Sequence, residues 1–147
     1  MMATITGLHH ITAIASDPQA NVDFYRGVLG LRPVKVTVNF DDPTSYHLYY
    51  GDSVGQPGTI LTFFAWPGGV ARGRVGAGQT AAVAFSIAPA SLAFWRDRLA
   101  TRGIAVSEAE DRFDEQVLRF SDPDGLALEL AAHPRAAERA GWTNGPV

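Results

Sequence analysis

Several short runs of the chain alternate apolar and polar residues with period two, and two longer stretches repeat apolar positions at helical spacing. Residues 8–15 are β-forming, and Ser16-Asp17-Pro18 behind them has the layout of a helix start. Val22, Tyr25, Val28 and Leu29 then share one helical face, which predicts a helix over 20–29 closed by Gly30. Residues 33–40 set Val34, Val36, Val38 and Phe40 against Lys35, Thr37 and Asn39, the alternation of a half-buried strand. Residues 46–50 and 59–66 read as two more strands with Gly, Pro and Asp turns between them. Further on, the pattern predicts a strand at 80–87, a helix at 91–102, and strands at 104–108, 116–120 and 126–131.

The second series repeats the first. Phe24-Tyr25-Arg26 matches Phe94-Trp95-Arg96, and Leu29 matches Leu99, at an offset of 70. Ile11–Ala15 aligns with Val83–Ile87 at an offset of 72, His47–Asp52 with Val117–Asp122 at 70, and Gly58–Phe63 with Gly125–Leu130 at 67. Four blocks in the same order predict two tandem βαβββ modules, an α+β fold with curved sheets around a cup. The modules span about residues 7–66 and 80–131 within a single domain. The Gly- and Arg-bearing stretch 67–79, with Arg72 and Arg74 in solvent, is the expected linker, and 132–147 is a terminal tail.

Strand alternation sorts side chains onto two faces. If the polar faces turn inward, the cup is lined by His10, Thr12, Lys35, Thr37, Asn39, His47, Tyr49, Arg119 and Glu129. Arg119 stands where the first module has Tyr49, and Glu129 where it has Thr62. Glu129 sits between Ala127 and Ala131, away from the leucine face of its strand, as a carboxylate on a cavity wall would. A strand histidine is more often a hydrogen-bonded rim residue than a ligand, and that bland reading is preferred for His133 beside Pro134. Tyr46, Tyr49 and Tyr50 suit packing or contact with a bound ligand.

Composition narrows the chemistry. The chain has 147 residues, 46% hydrophobic and 18% charged, with a formal net charge of −3. That balance argues against an electrostatic nucleic-acid binder, and no apolar run reaches membrane-spanning length, so the expectation is a soluble cytoplasmic protein. Cysteine is absent, which removes disulfides, thiolate metal sites and cysteine nucleophiles together. Any metal site must then use histidine and carboxylate, donors that suit Fe(II), Mn(II), Zn or Ni. The glycines of 68–78 lack the Gly-Lys-Ser/Thr ending of a phosphate loop.

Paired βαβββ modules resemble the vicinal oxygen chelate superfamily of glyoxalase I, fosfomycin- and bleomycin-resistance proteins and extradiol dioxygenases. Gly7–Ala13, Thr37–Pro43, Tyr46–Asp52 and Pro57–Phe64 resemble the N-terminal half of the ring-cleaving dioxygenases acting on hydroquinones. That resemblance implies a metal-dependent, extradiol-type dioxygenase or close relative, with Fe(II) or Mn(II) and a small aromatic diol. It matches His10 to the first-strand metal ligand, and His9 and Thr12 to residues beside the substrate; Tyr49 is a third candidate for proton and orientation roles. Two further ligands of such enzymes lie in a C-terminal half. Here the four rim positions are His10, Thr62, Ala82 and Glu129, so His47 is the candidate third ligand of a His10–His47–Glu129 site. Thr37, Asn39, Thr62 and Arg119 would line the substrate cup. Small members of the superfamily pair as homodimers, which would let His10 of one chain meet Glu129 of another. The alternatives are a metal-free protein that sequesters an aromatic or antibiotic-like molecule in the same cup, a glyoxalase-type lyase, and a non-catalytic subunit.

Overall fold

A computed structural model describes residues 4–5, 7–68, 71 and 73–138. Two compact units divide the chain, with the boundary between Val70 and Ala71, inside the expected linker. Among the described residues no helix is long and apolar enough to cross a membrane.

In the first unit, β1 (His10–Ala15) leads into α1 (Pro18–Val22). Asp17 caps α1 by accepting hydrogen bonds from the Gln19 and Ala20 amides, at 2.7 and 2.9 Å. The expected helix over 20–29 differs in kind, because Asp23–Val28 continues α1 as a π-helical turn. Its wider winding lets the consecutive residues Phe24 and Tyr25 both turn inward, where they are 3% and 0% exposed. Gly30, at φ 72°, ends the segment as expected. The strands β2 (Arg32–Val38), β3 (Tyr46–Gly51) and β4 (Ile60–Ala65) complete a sheet in the order β1-β4-β3-β2. Its β1–β4 pair is parallel and the other pairs are antiparallel.

One face of this sheet makes the core. The Tyr25 ring packs 4.6 Å from Phe63 and 5.4 Å from Tyr50, with Leu48, Leu61 and Leu29 buried around them. The Tyr50 hydroxyl donates to the buried Asn21 side chain at 2.9 Å. Burial, aided by the Asp23 charge, pushes the Tyr50 phenol upward, so it stays a neutral donor.

The second unit repeats this architecture with β5 (Val83–Ile87), α2 (Leu92–Thr101), β6 (Glu110–Arg112), β7 (Glu115–Ser121) and β8 (Ala127–Ala132). The sheet order is β5-β8-β7-β6, and β5–β8 is the parallel pair. Pairing registers verify the repeat residue by residue. Tyr49 opposes Thr62, and Arg119 opposes Glu129. Thr12 opposes Thr62, and Ala84 opposes Glu129. The loop after β3 is held by Asp52, which accepts from the Val54 and Gln56 amides. Asp122 does the same after β7, for Asp124 and Leu126.

One expected strand is displaced. Residues 104–108 form no strand, because Ser107 alone exchanges bonds with Arg119, through its amide at 2.9 Å and its hydroxyl at 3.0 Å. The ladder starts later, at Glu110, in a polar hairpin whose turn holds Phe113 at φ 55°, fully exposed. A phenylalanine in left-handed backbone is strained. Phe113→Gly is therefore expected to raise unfolding stability by about 1 kcal/mol in urea titration. Of the tail, Pro134–Glu138 is a 3-10 turn, and residues 139–147 lie outside the described residues, as does Arg72; Arg74 is exposed as expected.

Candidate functional site

The strand pairing of the first unit gathers polar residues on the sheet face opposite the core. His10 and Thr12 come from β1, Thr62 from β4, His47 and Tyr49 from β3, and Lys35 and Thr37 from β2. The Thr12 and Thr62 hydroxyls are 2.9 Å apart and share a hydrogen bond; Thr62 is fully buried beneath it. His9 precedes the strand, and its Nδ1 lies 3.0 Å from Nδ1 of His10, so one imidazole donates and the other accepts. Both rings are exposed. Their Nδ1 atoms are thus used on each other, while Nε2 of His10 makes no hydrogen bond among the described residues.

Deeper on the same face, the Tyr49 hydroxyl lies 2.9 Å from His47 Nδ1. The His47 ring packs between Tyr49 and Phe64, at 4.2 and 4.0 Å, and Phe64 stacks on Trp66. His47 Nε2 is buried and has no hydrogen-bond partner among the described residues. Burial, then the charges of His10 and Lys35, holds the His47 imidazole below its ordinary value, which favours the neutral ring, whose tautomer decides whether Nδ1 accepts or donates. Among the expected lining residues, Asn39 belongs to the loop that follows β2. It is 6% exposed, and its side-chain oxygen accepts from the Asp41 amide at 3.1 Å.

Glu129 and Arg119 belong to the second unit, together with an arginine that strand alternation did not single out. Glu129 is 8% exposed. One of its oxygens accepts from Arg112 Nη1 at 2.7 Å and the other from Arg119 Nε at 3.1 Å. Arg112 is also paired with Glu115, and Arg119 with Glu110. Arg112 sits on β6, the strand that forms later than its pattern suggested, so its place opposite Glu115 and near Glu129 was not readable from spacing. Ala82, the counterpart of His10, offers no donor. His133 behaves as the bland reading has it, beside Asp114 at 3.5 Å.

Burial pushes the Glu129 carboxyl up, but the bonds and charges of Arg112 and Arg119 outweigh it and hold the group below its ordinary value. A lowered folded value means that Glu129 contributes stability in full above its ordinary carboxyl range. That contribution is lost as pH falls through the lowered value. Glu129→Gln should accordingly flatten the acid limb of the stability curve, followed by thermal melts between about pH 6 and about pH 2.

These residues fit a divalent metal only in part. His10 presents an imidazole on an open face, with nitrogen chemistry suited to Fe(II) or Mn(II). Yet among the described residues no three His, Asp or Glu side chains converge, and both Glu129 oxygens are held by arginines. The chain's described residues do not by themselves complete a metal centre.

A family model described as the Glyoxalase/Bleomycin resistance protein/Dioxygenase superfamily matches residues 7–130. MhqO of Bacillus subtilis, named as a ring-cleaving dioxygenase, is 49% identical over 141 residues, covering 96% of this chain and 44% of that protein. A chlorohydroquinone/hydroquinone 1,2-dioxygenase of Sphingobium indicum is 36% identical over 140 residues, with 94% and 44% covered. A crystal structure from Bacillus subtilis, named as a dioxygenase, superposes with a TM-score of 0.80 at 50% identity, over 86% of this chain and 40% of that one. The chain thus spans less than half the length of the curated relatives it matches.

Proposed function

The chain belongs to the glyoxalase/bleomycin resistance protein/dioxygenase superfamily, and on that premise we propose that it carries the His10-bearing half of a metal-dependent, extradiol-type ring-cleaving dioxygenase. Its substrate is a small aromatic diol, and it works as a cytoplasmic homodimer in which His10 of one copy meets Glu129 of the other. The observation that carries the reading is 36–49% identity to proteins named as ring-cleaving dioxygenases, across at least 87% of the chain.

Within this reading His10 gives one imidazole donor to Fe(II) or Mn(II). His9, bonded to His10, and Thr12, bonded to Thr62, would hold the oxygens of the diol. Tyr49 is the group that would take part in moving a hydroxyl proton. Its own O–H can donate to neutral His47 Nδ1, which leaves its oxygen free to accept from a substrate hydroxyl. Thr37 and Thr62 shape the floor of that face. Arg119 is occupied by Glu110 and Glu129 and serves to hold Glu129 in place.

The test is oxygen uptake by the purified chain with hydroquinone and Fe(II) or Mn(II), at rising protein concentration. One O₂ consumed per ring opened, above the metal-only blank, is the expected result. A metal-free aromatic-binding protein is the second reading, favoured by the His47–Phe64–Trp66 stack together with the arginine-bound Glu129. Hydroquinone binding without any metal-stimulated uptake would establish it and overturn the first.

A further inference from the structure

The open face of the first unit carries charge of one sign. Lys35, the single lysine of the chain, opposes Tyr49 across β2 and β3, and its Nζ lies 5.7 Å from the Tyr49 ring centroid. Among the described residues it has no carboxylate partner. None of the strand positions sharing its face, from His10 and Thr12 to Thr62, His47 and Phe64, is acidic. This occurs in a chain where acidic residues outnumber Lys and Arg by 15 to 12. In the second unit the basic groups at the equivalent face, Arg112 and Arg119, are each bound by two carboxylates. Lys35 is left with an aromatic ring.

Beside that charge lies an aromatic wall, formed by His47 packed at 4.0 Å from Phe64 and by Trp66 stacked on Phe64. With their faces stacked on one another, these half-buried rings offer their edges to an aromatic ligand, and the ammonium offers a counter-charge beside them. We propose that this face selects an aromatic ring bearing a carboxylate, with the ring against the His47–Phe64 wall and the carboxylate on Lys35 Nζ. An isolated ammonium in water gains little from such a pair. Here the Tyr49 ring lies 5.7 Å from the ammonium, and no acid on the same face competes for its charge, so a carboxylate meets an uncompensated cation. The inference names the substrate class for the reaction proposed above and rests on that reading for the chemistry, but not for the binding.

Calorimetric titration of the purified chain in chelator, with 2,5-dihydroxybenzoate and with hydroquinone as probes, tests it. The carboxylated probe should bind about tenfold more tightly, the worth of one charge-assisted hydrogen bond. Lys35→Met should abolish that preference and Lys35→Arg should keep it. Raising NaCl to about 0.5 M should shrink it. Lys35 is exposed, so neither variant should lose its fold, and a thermal melt checks this. Equal affinities in the natural chain, a preference that survives Lys35→Met, or no binding of either probe would overturn the proposal. Oxygen uptake is read separately with Fe(II). Its absence alongside a Lys35-dependent preference overturns the dioxygenase reading alone, and turnover of hydroquinone without that preference overturns this one alone.

Discussion

His10→Ala is expected to lower metal-stimulated oxygen uptake by about a hundredfold or more, while leaving the unfolding midpoint where it was. The reasoning is local. Even removing a group that only supports a metal ligand costs roughly ten- to a hundredfold in affinity or activity, so removing the proposed ligand should cost at least the upper figure. The fold does not depend on the ring. His10 opens β1, its side chain is exposed, and the backbone pairing with Ile60 is kept by alanine. His9→Ala provides the graded control. It removes the Nδ1 partner 3.0 Å away and leaves the imidazole of His10 present, so a smaller loss, about tenfold, is expected. Oxygen electrode traces at several Fe(II) concentrations separate lost affinity from lost turnover. Equal activity in His10→Ala and the natural chain would remove His10 from the site.

Phe63→Ala is expected to cost about 3–5 kcal/mol, a large share of the roughly 5–15 kcal/mol that stabilises an ordinary domain. Phe63 is 0% exposed, and its ring touches both Tyr25 and Tyr50, which are themselves buried. Both partners are fixed by the same helical segment, Tyr25 as part of its π-helical turn and Tyr50 by its bond to Asn21. They cannot collapse into the gap, so the void persists and the cost lies at the upper end of the range. Urea titration followed by circular dichroism measures it. The contrast with Phe64→Ala, on the opposite and more open face, gives the control. That variant should lose less stability and more aromatic binding.

Both results test features that differ in how far the chain's pattern foretold them. The offsets of 67, 70 and 72 located equivalent residues so well that Tyr49 and Arg119, or Thr62 and Glu129, occupy the same rungs of the two ladders. Alternation also placed His10, Thr12, His47 and Tyr49 on one face, because period two survives any error in strand ends. The π-helical turn had no such signal, since Val22, Tyr25, Val28 and Leu29 fit a regular helix equally well. The strand expected over 104–108 failed for a related reason. Its apolar spacing is real, but ladder formation is decided by Glu110–Arg112 and the tight turn after it. The fate of Glu129 was unreadable for a third reason. Its partner Arg112 lies 17 residues away on a strand that the pattern put elsewhere. A carboxylate flanked by alanines looks the same whether arginines or a metal neutralise it.

The parallel strand pair in each unit bears on how the chain acquires its structure. β2, β3 and β4 follow one another as antiparallel neighbours, so each can pair with the strand just made, across a short loop. β1 has β4 as its one neighbour in the sheet, with His10 opposite Ile60, fifty residues later. Closing that span costs more chain entropy than closing any hairpin in the unit. During synthesis His10–Ala15 therefore emerges first and is paired last. The segment that bears the proposed ligand is the final rung added, so assembly of the open face waits on completion of the whole first module.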